Sequence, residues 1–176
     1  MDTPRVHPLA PEELTDEQQA FLAPFTNKRG QFPNIFGTLV RHMDLTKAWS
    51  GFGLYTMRDS QIDPVLREVL ILRTACLIGS DYEWHQHQKI AERLGMSDTD
   101  FSIIKRGDEF ADLEKNLMLQ CANDLVQTHA LSDETWHNMN AAFDLTYVLD
   151  SIMTVGAYTA LGMALNSCGV QIEDKA

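Results

Sequence analysis

Apolar residues recur at helical spacing along most of this chain, and no segment shows the two-residue alternation of a strand. The most continuous run, Val65 to Ile78, is apolar on nearly every face and broken only by Arg67, Glu68, Arg73 and Thr74. A helix of that kind belongs in a core rather than on a surface. Asp63 can cap its N-terminus, Pro64 suits its first position and Gly79 fits its end. Ser80-Asp81-Tyr82-Glu83 then has the form of a capping box opening a second helix, with its stop at Gly95. The pattern predicts a buried antiparallel helical hairpin between Asp63 and Gly95.

The flanks read in the same way. Thr15-Asp16-Glu17-Gln18 is a capping box for a short helix ending near Pro24. A loop with Gly30 leads to a helix from Asn34 to His42, and Asp44 caps another to about Met57, weakened by Gly51 and Gly53. Beyond the hairpin, Ser97 starts a short helix that stops near Gly107. The stretch from Asp108 to Thr128 is amphipathic through Phe110, Leu113, Leu117, Cys121 and Leu125. Ser132 starts a further helix, and Asp144 caps a long last one running to about Asn166 with a stop at Gly169. The small residues Gly156, Ala157, Ala160, Gly162 and Ala164 in that last helix permit close contact, either within the core or between subunits. The expected architecture is all-α, about eight helices around Val65–Ile78. Residues 1–14, with Pro4, Pro8 and Pro11, read as an extended arm, and 15–176 as one helical domain.

Charge narrows the range of partners. The 14 Lys and Arg against 25 Asp and Glu give a formal net charge of −11, which disfavours nucleic acid and anionic membranes. The same field opposes anionic substrates at long range, so an acidic substrate would need a local arginine. The beginning of the chain carries no apolar signal segment, and no run reads as a membrane span. Cys76, Cys121 and Cys168 are widely spaced and form no Cys-x-x-Cys, which fits a reduced, cytoplasmic setting.

Candidate chemistry lies in the hairpin. Glu68 shares a helix face with Leu72 and Cys76, where its charge is costly unless a cation offsets it. Glu83 and His87 are four residues apart and stack on one face of the second helix. In an antiparallel pair Glu68 lies ~16 Å from the turn and His87 ~10 Å, about one helical turn out of level. Contact then requires a tilted crossing or a bridging water. Each residue also has a structural reading. Glu83 is equally suited to pairing with Ser80 in the cap, and Glu68 to an ion pair with Arg67 or Arg73. Trp84 serves as a pocket wall or as core, and His42 as a pocket residue or a surface histidine at a helix end. His85 points away from His87, so the histidines do not form a ready metal site. Ser80 as a nucleophile competes with its role as a cap. Cys76, within an apolar helix, reads as inert. No glycine-rich phosphate loop or dinucleotide fingerprint is present.

The string LREVLILRTACLIGSDYEWHQHQKIAERLGMSDTD, with Arg-Glu before an apolar helix and then Tyr-Glu-Trp-x-x-His, resembles the signature region of the carboxymuconolactone decarboxylase family, which includes the alkylhydroperoxidase D-like (AhpD-like) proteins. The tail LGMALNSCGVQIED is similar to that family's Leu-Asn-x-x-Gly-Val ending. The resemblance implies an AhpD-like helical fold, with Glu68 and His87 at the family's proton-relay positions. Where the peroxidase branch has Cys-x-x-Cys, this sequence has Ser80 and Glu83, so the decarboxylase-type branch is the nearer one. The expectation is a cofactor-independent acid/base enzyme, a lyase or related proton-transfer enzyme of aromatic catabolism. Its substrate would be a small carboxylated, lactone-like or carbonyl-activated molecule. Glu68, Glu83 and His87 would be catalytic, Trp84 and His42 would bind substrate, and no metal would be required. The alternatives are a non-catalytic ligand-binding helical oligomer and a peroxidase-like protein using another thiol. The resemblance also implies a homo-oligomer, a trimer or a hexamer built from trimers.

Overall fold

The computed structural model describes residues 3–173; the first two residues of the expected arm and residues 174–176 lie outside the described residues. Nine α-helices and no strand are present among the described residues. In order they are α1 (Asp16–Leu22), α2 (Asn34–Leu39), α3 (Met43–Leu54), α4 (Pro64–Leu77), α5 (Asp81–Arg93), α6 (Asp98–Arg106), α7 (Leu113–Thr128), α8 (Asp133–Ala142) and α9 (Leu145–Cys168). The residues fall into two compact units, Met1–Gly53 with Ala164–Ala176, and Leu54–Met163.

The second unit is organised by α4. Every residue from Leu66 to Ala75 is buried, including Arg67, Glu68, Arg73 and Thr74. Asp63 Oδ1 accepts from the backbone N–H groups of Val65 and Leu66, and Pro64 occupies the first turn, where its missing N–H costs nothing. Helices α5, α6 and α7 pack on α4. Val69, Leu70 and Leu72 form one core with Ile104, Met118, Leu119 and Met139. At Gly79 the backbone takes φ +65°, the left-handed conformation that ends α4 at no steric cost.

The first unit contains α1 with its Thr15–Gln18 capping box, α2 and most of α3. Its described N-terminal segment is held by backbone bonds from Arg5 and Val6 to the Cys168 carbonyl and from Leu9 to that of Gly37.

Several boundaries differ from those the sequence suggests. Helix α3 begins at Met43, and His42 Nδ1, rather than Asp44, accepts from the Leu45 N–H at 3.4 Å. The chain after α3 continues as a π-type turn, Tyr55–Asp59, closed by the Ser60 N–H on the Tyr55 carbonyl. Helix α7 starts at Leu113, not Asp108, because Asp112 caps it through the Lys115 N–H, while the Phe110 N–H turns aside to Asn116 Oδ1. Helix α9 is long and apolar enough, by length and composition, to cross a membrane, contrary to the reading that no run is. Half of that window is nonetheless buried in the protein, with Asp150, Ser151 and Thr154 among its buried residues, as in a core helix. Its small residues serve two purposes. A Cβ on Gly162 would come within 2.4 Å of Ile78 Cδ1, so this glycine permits core contact, whereas Gly156 and Ala160 are exposed.

Candidate active site

The α4–α5 crossing brings two ionisable residues into direct contact inside the second unit. Glu68 Oε2 lies 2.8 Å from His87 Nδ1, with no water needed between them. Glu68 is completely buried and His87 nearly so. With the carboxyl ionised, the imidazole Nδ1–H donates, which leaves Nε2 as the basic nitrogen. That nitrogen faces Glu83 Oε2 at 3.7 Å, one helical turn back on α5. The separation is too long for a hydrogen bond and short enough for a proton to pass after a small rotation or through a substrate atom.

Glu83 is no capping residue here and stands instead beside His87. Ser80 stands at the N-cap of α5 but its side chain caps nothing; its ψ of 88° lies outside the usual capping geometry, and its buried Oγ has no hydrogen-bond partner. The predicted capping box is therefore absent. Burial, reinforced by the charge of Glu68 and opposed by that of His87, pushes the Glu83 carboxyl up to about 7. It can accordingly hold or release a proton near neutrality.

Neither arginine of α4 neutralises Glu68. Arg73 is spent elsewhere, with Nε donating to Asn123 Oδ1 at 2.6 Å and an Nη to the carbonyls of Ile104 and Lys105. Arg67 forms no ion pair among the described residues, and its Nε has no partner. Glu68 Oε1 is likewise without one.

Trp84 lies against α6. Its ring meets Phe101 edge-on at 6.4 Å and carries Lys105 Nζ 4.5 Å above it, while Nε1 donates to Gln88. The aromatic neighbour of the histidine is instead Tyr158 of α9, edge-on with ring centroids 4.9 Å apart. The Tyr158 hydroxyl donates to Met57 Sδ in the π-type turn, and burial raises it well above the usual tyrosine range. Nothing in the local sequence marks Tyr158; its spacing from Asp150 and Thr154 shows only that the three share a helix face. His42 is exposed, lies in the other unit and is engaged at the start of α3.

Among the described residues no set of three or more His, Cys, Asp or Glu side chains is placed to hold a metal ion. Cys121 is buried and pushed up to about 12 by that burial, so it stays a thiol. Cys76 Sγ rests 3.6 Å from the Lys105 carbonyl.

Residues 43–113 match the Carboxymuconolactone decarboxylase family. No curated protein matches the chain in sequence. Its fold is similar to the alkylhydroperoxidase AhpD core of an uncharacterized peroxidase-related protein from Ralstonia eutropha JMP134, with a TM-score of 0.85 and 16% identity over 99% of this chain and 94% of that one. A peroxidase-related protein from Silicibacter sp. TM1040 gives 0.81 and 15%, covering 98% and 91%. The debrominase Bmp8, solved as a variant with 2,3,4-tribromopyrrole, gives 0.78 and 16%, covering 98% and 93%. Residues 43–113 of the chain thus match the carboxymuconolactone decarboxylase family, and its fold is that of the AhpD-like helical proteins.

Proposed function

We propose that this protein is a cofactor-independent acid/base enzyme that moves a proton to or from carbon in a small carboxylated, lactone-like or carbonyl-activated metabolite, as a decarboxylase-type member of its family would. The 2.8 Å contact between Glu68 and His87 carries this reading. A buried carboxylate on Nδ1 fixes the ring and stabilises the imidazolium that forms when Nε2 takes a proton. Glu83, pushed up to about 7, supplies the second proton-transfer group on the far side of the same ring. Removal of a proton or of carbon dioxide next to a carbonyl leaves an enolate. Protonation at carbon completes the reaction, so one base and one acid suffice.

A thiol peroxidase reading has less support. Ser80 and Glu83 stand where a dithiol would be needed, and the Cys121 thiol is held protonated. A ligand-binding protein without turnover is the remaining alternative.

The deciding experiment incubates the protein with small lactones and unsaturated or β-keto acids in deuterated water, with products read by mass spectrometry. Deuterium incorporation or loss of carbon dioxide by the wild type, absent from His87→Asn, is the expected result. Ligand-induced stabilisation without product from any substrate would favour the binding protein.

A further inference from the structure

Two arginines lie on α4 with equal burial, 8% exposed each, and opposite circumstances. Arg73 donates to one side chain and two carbonyls. The Arg67 side chain makes no hydrogen bond or ion pair among the described residues, and its Nε is sealed from solvent without a partner. A guanidinium nitrogen removed from water and left unpaired is costly, and nothing in the fold offsets that cost at Arg67 Nε.

Its surroundings indicate what would pair with it. Tyr147, Ser151, Thr154 and Tyr158 follow one another at spacings of four, three and four, so they share one face of α9. Burial raises the hydroxyls of Tyr147 and Tyr158, and the positive charge of Arg67 acts on both in the opposite direction. Arg67 is therefore close enough to both tyrosines for its charge to be felt there, and Thr154, between them on the same face, has a buried and unpartnered Oγ1. Tyr158 in turn has its ring against His87. An unpaired cation and an unpaired hydroxyl thus stand beside the Glu68–His87–Glu83 cluster.

We propose that Arg67 is the anchor for a carboxylate of the substrate, held next to His87 with Thr154 as an auxiliary donor. The planar fork of arginine matches the two oxygens of a carboxylate, and a buried cation overcomes the repulsion that a chain of net charge −11 presents to an anion. This assignment relies on the acid/base reading only in calling the anion a substrate; the binding itself does not depend on it.

The test uses the intact protein with acetate, succinate and benzoate as probes and the corresponding amides as neutral controls. Thermal shift and titration calorimetry are recorded for wild type, Arg67→Met, Arg67→Lys and His87→Asn. At least one carboxylate is expected to stabilise the wild type while its amide does not. Arg67→Met should weaken that binding at least tenfold, Arg67→Lys should weaken it less, and His87→Asn should retain it. Without ligand, Arg67→Met should melt at or above the wild-type temperature, because an unpaired buried charge is replaced by an apolar chain. The proposal is overturned if no carboxylate binds, if amides bind equally, or if Arg67→Met binds as well as wild type. An Arg67→Met protein that fails to fold or melts far below wild type also overturns it, by giving the arginine a structural role. Turnover that survives in His87→Asn would end the acid/base reading and leave the anchor standing.

Discussion

Glu68 and His87 meet at 2.8 Å across the α4–α5 crossing, with both side chains almost wholly withdrawn from solvent. In the proposed reaction the two have unequal work, because Glu68 touches the nitrogen that orients the ring and leaves Nε2 to exchange the proton. His87→Ala should reduce turnover by roughly 10²–10⁴-fold. Glu68→Gln should reduce it less, since the amide oxygen still accepts the Nδ1–H while the negative charge is gone. Steady-state kinetics with circular dichroism as a fold control measures both. Equal loss in the two variants would contradict the division of roles.

Glu83 predicts two linked pH effects. Its carboxyl is raised in the folded protein, so the folded state binds the proton more tightly than the unfolded chain does. The stability it contributes is fully present below about 4.5 and is lost as pH rises through about 7. The difference amounts to something on the order of 3 kcal/mol. Glu83→Gln should therefore flatten this part of the stability profile, as measured by denaturant unfolding at several pH values. If Glu83 is the acid, wild-type activity also falls as pH passes about 7.

Backbone substitutions give a contrasting pair. Gly107 has φ +75°, and a Cβ there would lie 2.5 Å from an Nη of Arg73, whose fork is fixed by two carbonyls. Gly107→Ala should cost about 1–3 kcal/mol. Gly51, within α3, has nothing within 4 Å of its would-be Cβ, and Gly51→Ala should stabilise by about 0.5–1 kcal/mol. Chemical denaturation of both variants checks the signs.

We propose that the outer face of α9 joins copies of this chain. Leu145, Leu149 and Met153 are each at least half exposed, and Gly156 and Ala160 continue the same face. The acidic residue of this helix, Asp150, points inward, where it accepts from the Tyr55 hydroxyl and the Gln61 N–H. The stripe therefore carries no charge, and a second copy can pack on it without the repulsion that −11 per chain creates elsewhere. Light scattering should show a trimer or larger, and Leu149→Glu should shift it toward 19.9 kDa while the fold persists. A wild-type monomer at micromolar concentration would refute the interface.

Local signals were written plainly in the sequence. The unbroken apolar run of α4 demanded burial, Asp63 and Pro64 marked its start, and glycines at 79, 95 and 107 took the left-handed conformation that ends a helix. The carboxylates and histidine of the hairpin were visible because spacing of four fixes neighbours on one helix. Contacts between helices were not legible in that way. Whether Glu68 reached His87 directly depended on the tilt of α5 across α4. Whether Glu83 served the cap or the histidine depended on the backbone angles at Ser80. The Tyr158 ring against His87 and the unpaired side chain of Arg67 depend on packing between helices far apart in the chain, where no periodicity on one helix constrains which face of another it meets. Sequence determined which elements form and which groups they carry. Tertiary packing decided which of those groups became partners, because helix crossing angles, not residue spacing, set the distances between them.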